Sequence, residues 1–187
     1  TAEVGSTVTA VVAGATYSET ATDGTWSFAI GTDTPDSGSL SLNVNGTNSV
    51  SVTATDAAGN VSAAGSQTLT IDSTAPTVAI TDDTGGTSAV NGDITFTFTF
   101  SEAISGFLAE DITVANGTKG AFSQTSDTVY TLVVTPDANS TSAVTVDVAA
   151  NKATDTAGNN NTAATQATQA VDTAAPSAPT ISSITTP

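Results

Sequence analysis

Residues 94–100 read Ile-Thr-Phe-Thr-Phe-Thr-Phe, large apolar side chains alternating strictly with threonine. Successive side chains of a strand point to opposite faces, so this run is a strand with one dry and one wet face. Val144, Val146 and Val148 repeat the pattern against Thr145 and Asp147. Earlier in the chain Val8, Ala10 and Val12 do so, then Trp26, Phe28 and Ile30, then Val50, Val52 and Ala54. Asp23-Gly24, Asn45-Gly46, Asn91-Gly92 and Asn116-Gly117 supply turn signals between the runs. There is no helical stripe, and the chain reads as all-β.

The runs are organised by an internal repeat. Residues 53–76, TATDAAGNVSAAGSQTLTIDSTAP, parallel residues 153–176, ATDTAGNNNTAATQATQAVDTAAP. Asp56 and Asp155 lie 99 positions apart, and Pro76 and Pro176 lie 100 apart. That period is the size of a seven-stranded immunoglobulin-like Greek-key sandwich. The repeated text is the last hairpin and exit linker of each unit, which sets boundaries at Ser73–Pro76 and Thr173–Pro176. The expected organisation is a first domain at 1–74 lacking its opening strand, a second at 75–174, and a linker with a first-strand stub at 175–187. On this reading the stub is able to pair with the vacant edge of the first domain in another copy.

Composition removes whole classes of function. Of 187 residues 18 are acidic and two, Lys119 and Lys152, are basic, for a formal net charge of -16; His and Cys are absent. Such a chain cannot neutralise phosphates, so nucleic acid is excluded as a partner, and an anionic membrane surface repels it. The usual general base, thiol nucleophile and zinc ligands are missing. Carboxylates, hydroxyls and amide oxygens remain, which are hard ligands suited to calcium. No apolar run has the length of a membrane span.

Taken together, DGTWSFAI (23–30), VTATDAAGN (52–60) and IDSTAP (71–76) resemble the bacterial Ig-like repeats of giant repeats-in-toxin adhesins and biofilm-associated surface proteins. FTFSEAI (98–104), AEDITV (109–114), NGT (116–118), YTLVVTP (130–136) and ATDTAGNNN (153–161) are similar to a second Ig-like repeat type of the same proteins. The resemblance covers nearly the whole chain. It implies type I secretion, an extracellular place on the bacterial cell surface, and a role as an extender. In such proteins inter-domain Ca2+ stiffens the stalk, neighbouring Ig-like domains are the partners, and other domains of the parent protein contact a surface or host ligand. The glycine-rich nonapeptides of the secretion region are lacking, which places the chain in the extender region.

The residues themselves point the same way. In an Ig-type sandwich the loop after the second strand and the loop before the last strand share one end with the incoming linker. Here the first loop, Ser101–Asp111, carries Glu102, Glu110 and Asp111. The second, Asn151–Thr162, carries Asp155, Asn159 and Asn160, and the linker brings Asp72. Carboxylates converging without a cation repel, whereas Ca2+ takes six to eight such oxygens. The expected ligands are Asp72, Glu102, Asp111 and Asp155, with Asn159 and, in the equivalent loop of the first unit, Asp56 and Asn60 as further candidates. The competing reading is that Asp-x-Ala-Gly-Asn is only a β-turn. Asp82, Asp83, Asp137 and Asp172 fall at the opposite end, Asp82 and Asp83 reading as a solvated turn. Trp26 reads as a core residue of its strand.

Three functions compete. One is a non-catalytic calcium-dependent extender. The alternative is an adhesion module for a glycan, a host protein or ice, for which the sequence offers one Trp and two Tyr. The third is a glycosidase built on paired acids, but its carboxylates sit at loop ends of domains too small for a cleft.

Overall fold

A computed structural model describes residues 1–85 and 89–182. The chain divides into two compact units, Thr1–Thr74 and Ala75–Pro187.

The first unit is one antiparallel sheet. Its strands are β1 (Thr7–Val12), β2 (Ala15–Thr20), β3 (Ser37–Gly38), β4 (Gly46–Thr55) and β5 (Gly65–Ile71), in the order β3-β2-β1-β4-β5. Val12 faces Ala15 across β1–β2, leaving Ala13 and Gly14 as a two-residue hairpin with φ of 42° and 88°. Both values are left-handed, as a turn matched to strand twist requires. Registers β1–β4 and β4–β5 put Val8, Ala10, Val12, Val50, Val52 and Leu69 on one face. Val8, Ala10, Val12 and Tyr17 are buried there, while Leu69 remains 41% exposed.

The period-two run at Trp26, Phe28 and Ile30 does not become a strand. Two of its donors are taken by side chains: Ser27 N–H binds Glu19 Oε2 at 3.3 Å, and Ala29 N–H binds Asp33 Oδ2 at 2.7 Å. Thr32 and Asp33 N–H both return to the Ala29 carbonyl, closing a turn. Trp26 is therefore half-buried against Phe28, ring centroids 5.6 Å apart, instead of sealed in a core.

The second unit is a β-sandwich. One sheet joins β6 (Val78–Asp82), β7 (Ile94–Phe100), β10 (Gly117–Gln124) and β11 (Val129–Pro136) in the order β10-β11-β7-β6. The other joins β9 (Ile112–Ala115), β12 (Val144–Val148) and β14 (Ala167–Gln169) in the order β14-β12-β9. Short strands β8 (Ile104–Ser105) and β13 (Thr154–Asp155) pair with each other. Among the described residues the helical content is one 3₁₀ turn, Ala109–Asp111.

The alternation seen in sequence closes the core: Ile94, Phe96, Phe98, Val144, Val146 and Val148 are all fully buried. Each such side chain contributes roughly 1.5–3 kcal/mol through removal from water. Phe107 packs edge-on against Phe98, Phe100 and Tyr130 with centroids 5.0–5.7 Å apart. Of the stub expected at 175–187, residues 175–182 form no strand, and 183–187 lie outside the described residues.

Candidate metal centre

β12 ends at Val148, and the chain then makes the loop that presents Asp155. Asn161, only 2% exposed, organises it. Its Oδ1 accepts the N–H groups of Lys152 and Ala153 at 2.7 and 2.8 Å, and its Nδ2 donates to the carbonyls of Ala149 and Thr162. One side chain thus stitches both legs of the loop and satisfies donors that burial would otherwise strand.

Asp155, 5% exposed, sits inside that loop. Its Oδ1 accepts Ala157 N–H and Asn159 N–H, each at 2.8 Å, and its Oδ2 accepts Asn159 Nδ2 at 2.8 Å. Gly158, at φ 94°, allows the chain to fold back so that these donors converge. Burial works to raise the Asp155 pKa. The hydrogen bonds from the Asn159 side chain and from the N–H groups of Asn159, Ala157 and Gly158 outweigh it, and the pKa lies below the usual value. The carboxylate is held ionised.

Three bonds bring other segments of the chain to the same end. Thr77 N–H donates to Ser101 Oγ at 3.0 Å and Ser101 N–H donates back to Thr77 O at 2.9 Å, which fixes the residue preceding Glu102. Thr162 N–H binds Pro76 O at 2.9 Å, tying the lead-in segment to the Asp155 loop. Asp72 lies four residues before Pro76, and its Oδ1 accepts Thr74 N–H at 2.9 Å.

Among the described residues one group of three or more acids offers converging carboxylate oxygens. It is Asp72, Glu102 and Asp155, with all three oxygens within 4.8 Å of one another. Three carboxylates at that separation match the hard oxygen donor set and charge that Ca2+ takes. They would repel one another without a cation.

The remaining candidates fall elsewhere. Asp111 is outside the group: its Oδ2 accepts Leu108 N–H at 3.0 Å and its Oδ1 lies 3.6 Å from Lys152 Nζ. Asn159 stands beside the group through its bonds to Asp155, and Asn160 bridges to Thr154. Asp82 and Asp172 cap the N–H groups of Thr84 and Ala174, and Asp83 accepts Thr95 N–H.

In the first unit Asp56 and Asn60 rebuild the loop bond for bond. Asp56 Oδ1 accepts Ala58 and Asn60 N–H at 2.9 and 2.8 Å, and Oδ2 accepts Asn60 Nδ2 at 2.7 Å. The Asn60 side chain, then the surrounding N–H groups, lower the Asp56 pKa despite some desolvation. Ser62 takes the place of Asn161, its Oγ accepting Ala54 N–H at 3.0 Å. Asn161 is the residue that motif reading passed over. The signal for it was available, because Ser62 occupies the same offset from its Asp in the repeat.

Residues 72–171 match the family described as bacterial Ig-like domain. Asp72, Glu102 and Asp155 all fall within the matched residues. No curated relative matches the chain. Among solved structures it is similar to a 1.5-MDa bacterial ice-binding adhesin, described for its retention at the host cell surface. Identity there is 23% and the TM-score 0.38, over 91% of this chain and 54% of that one. It is also similar to SGBP-B of the Bacteroides ovatus mixed-linkage glucan utilization locus, in complex with a mixed-linkage heptasaccharide. Identity is 17% and the TM-score 0.22, over 88% of this chain and 37% of that one. The chain therefore spans about half, or less, of the length of these structures.

Proposed function

The chain belongs to the bacterial Ig-like domain family, and from that premise we propose that it is a non-catalytic extender segment of a large secreted adhesin. Its place is the extracellular bacterial surface, reached by type I secretion, with neighbouring Ig-like domains of the same chain as partners. In this reading Asp72, Glu102 and Asp155 hold Ca2+ at the point where the chain enters the second domain. The ion rigidifies the stalk and promotes folding after export.

The observation that carries the reading is the convergence of those three acids, one of them already ordered by its own loop. Extracellular calcium modules bind at about 10⁻⁴ to 10⁻³ M, which the outside medium fills and the cytosol does not. Calcium at roughly a hundred times its dissociation constant adds about 2.7 kcal/mol of stability.

Scanning calorimetry in millimolar calcium and in excess chelator tests it. Calcium is expected to raise the melting transition of the native chain and to leave that of Asp155→Asn unchanged. Superimposable melts of the native chain in both conditions would refute the calcium role and leave the fold assignment intact.

A second reading has one observation in its favour. An open cleft of about 360 Å³ in the first unit is lined by Trp26, Phe28, Ile30, Val50, Val52 and neighbours on β5, none of them charged. That volume is in the range of ligand sites, and an aromatic wall suits a neutral glycan. Signals above background on a glycan array, lost in Trp26→Ala, would favour an adhesion module.

A further inference from the structure

The three Asn-Gly pairs of this chain share a sequence and differ in their surroundings. Deamidation at such a pair needs the glycine nitrogen to reach the asparagine Cγ. That requires a mobile amide side chain and a main-chain N–H not committed elsewhere, next to a residue without a Cβ.

Asn45 is held by Ser73, whose N–H and hydroxyl both donate to its Oδ1 at 2.8 Å, and Gly46 is already in β4, paired with Ile71. Asn116 is held by its Nδ2, which donates to Ala143 O at 2.7 Å. Gly117 is the first residue of β10, packed so closely that a Cβ would lie 2.8 Å from Val134. Asn91 and Gly92 are exposed, and among the described residues neither the Asn91 side chain nor the Gly92 N–H has a hydrogen-bond partner. A Cβ at Gly92 would meet nothing within 4 Å.

We propose that Asn91 is the deamidation site of this protein. The Gly92 nitrogen, having lost its proton to solvent base, bonds to Cγ of Asn91. The Cγ–Nδ2 bond breaks, and the amide nitrogen takes a proton back from the solvent acid and leaves as ammonia, giving a five-membered succinimide. Water then opens the ring at either carbonyl, yielding aspartate or isoaspartate and adding one negative charge to the chain.

The position gives the reaction a structural consequence. Val90 is pinned to the segment that follows β14, donating to Ala170 O at 3.2 Å and accepting Asp172 N–H at 2.9 Å. Asp93 is pinned by the Thr135 hydroxyl at 2.7 Å. Isoaspartate inserts an extra backbone carbon between these two fixed points, and the bridge from Val90 to Val171 has to give.

The test is incubation of the full chain in mildly alkaline buffer, folded and in concentrated urea, followed by peptide mass mapping and isoaspartate detection. In the folded chain Asn91 is expected to convert at least tenfold faster than Asn45 and Asn116. In urea the three rates converge, and Gly92→Ala suppresses the reaction at Asn91 in both states. Comparable folded-state rates at all three sites, or faster conversion at Asn45 or Asn116, would overturn the proposal. So would a preference for Asn91 that persists unchanged in urea, because the fold would then not be its cause.

Discussion

Asn161 accepts the N–H of Ala153 at 2.8 Å in a loop where both residues are almost completely buried. The same amide oxygen serves Lys152 N–H, so the loop carrying Asp155 depends on a residue that is not itself a candidate ligand. Asn161→Ala leaves these donors without a partner, at about 1–3 kcal/mol for each one that water cannot reach. Denaturant unfolding in chelator is expected to show that loss. A change within a few tenths of a kcal/mol would mean that the loop is held by other bonds.

Phe96 is fully buried at the centre of the second unit, opposite Leu132 in the β7–β11 ladder. Phe96→Ala removes most of a ring from a closed core, and the expected cost is about 3–5 kcal/mol. An urea midpoint displaced by that amount at constant slope would confirm it. An unchanged midpoint would place the core elsewhere.

Asp155 and Asp56 both have depressed pKa values in the folded chain. For a depressed carboxylate the stabilisation is complete above the unfolded value of about 3.9 and fades as pH falls through the lower folded value. In chelator, Asp155→Asn is therefore expected to melt lower than the native chain at neutral pH, with the gap closing in strong acid. A gap independent of pH would show that the charged form is not what the loop selects.

Ala13 holds φ of 42° in the β1–β2 hairpin, a region that costs an L-residue roughly 1–2 kcal/mol. Ala13→Asn suits the left-handed turn, and the first unit is expected to gain about 0.5–1 kcal/mol. Thermal unfolding of the two chains compares them directly. A lower transition for the variant would mean that the side chain meets a contact outweighing the relief.

Much of this protein is legible before any coordinates. Alternation of Ile94, Phe96, Phe98 and Phe100 with threonine leaves one way to bury the rings, and the 99-residue spacing of Asp56 and Asp155 announces a repeated loop. The same alternation misleads at Trp26, Phe28 and Ile30. A strand also needs a neighbour for its main-chain groups, and there Glu19 and Asp33 take the Ser27 and Ala29 donors instead.

Fold class, the repeat and the pool of oxygen ligands thus follow from the sequence alone, because period-two burial and composition are local properties. Which acids meet is a tertiary matter. Glu102 and Asp111 belong to one loop and look equivalent as text. Ser101 bonds to Thr77 and carries Glu102 toward Asp155, whereas the 3₁₀ turn directs Asp111 to Leu108 and Lys152. A carboxylate joins such a cluster only when segments far apart in sequence are pinned to one end of the sandwich. That pinning is done by bonds between distant segments, Thr77 with Ser101 and Pro76 with Thr162, which no local motif records.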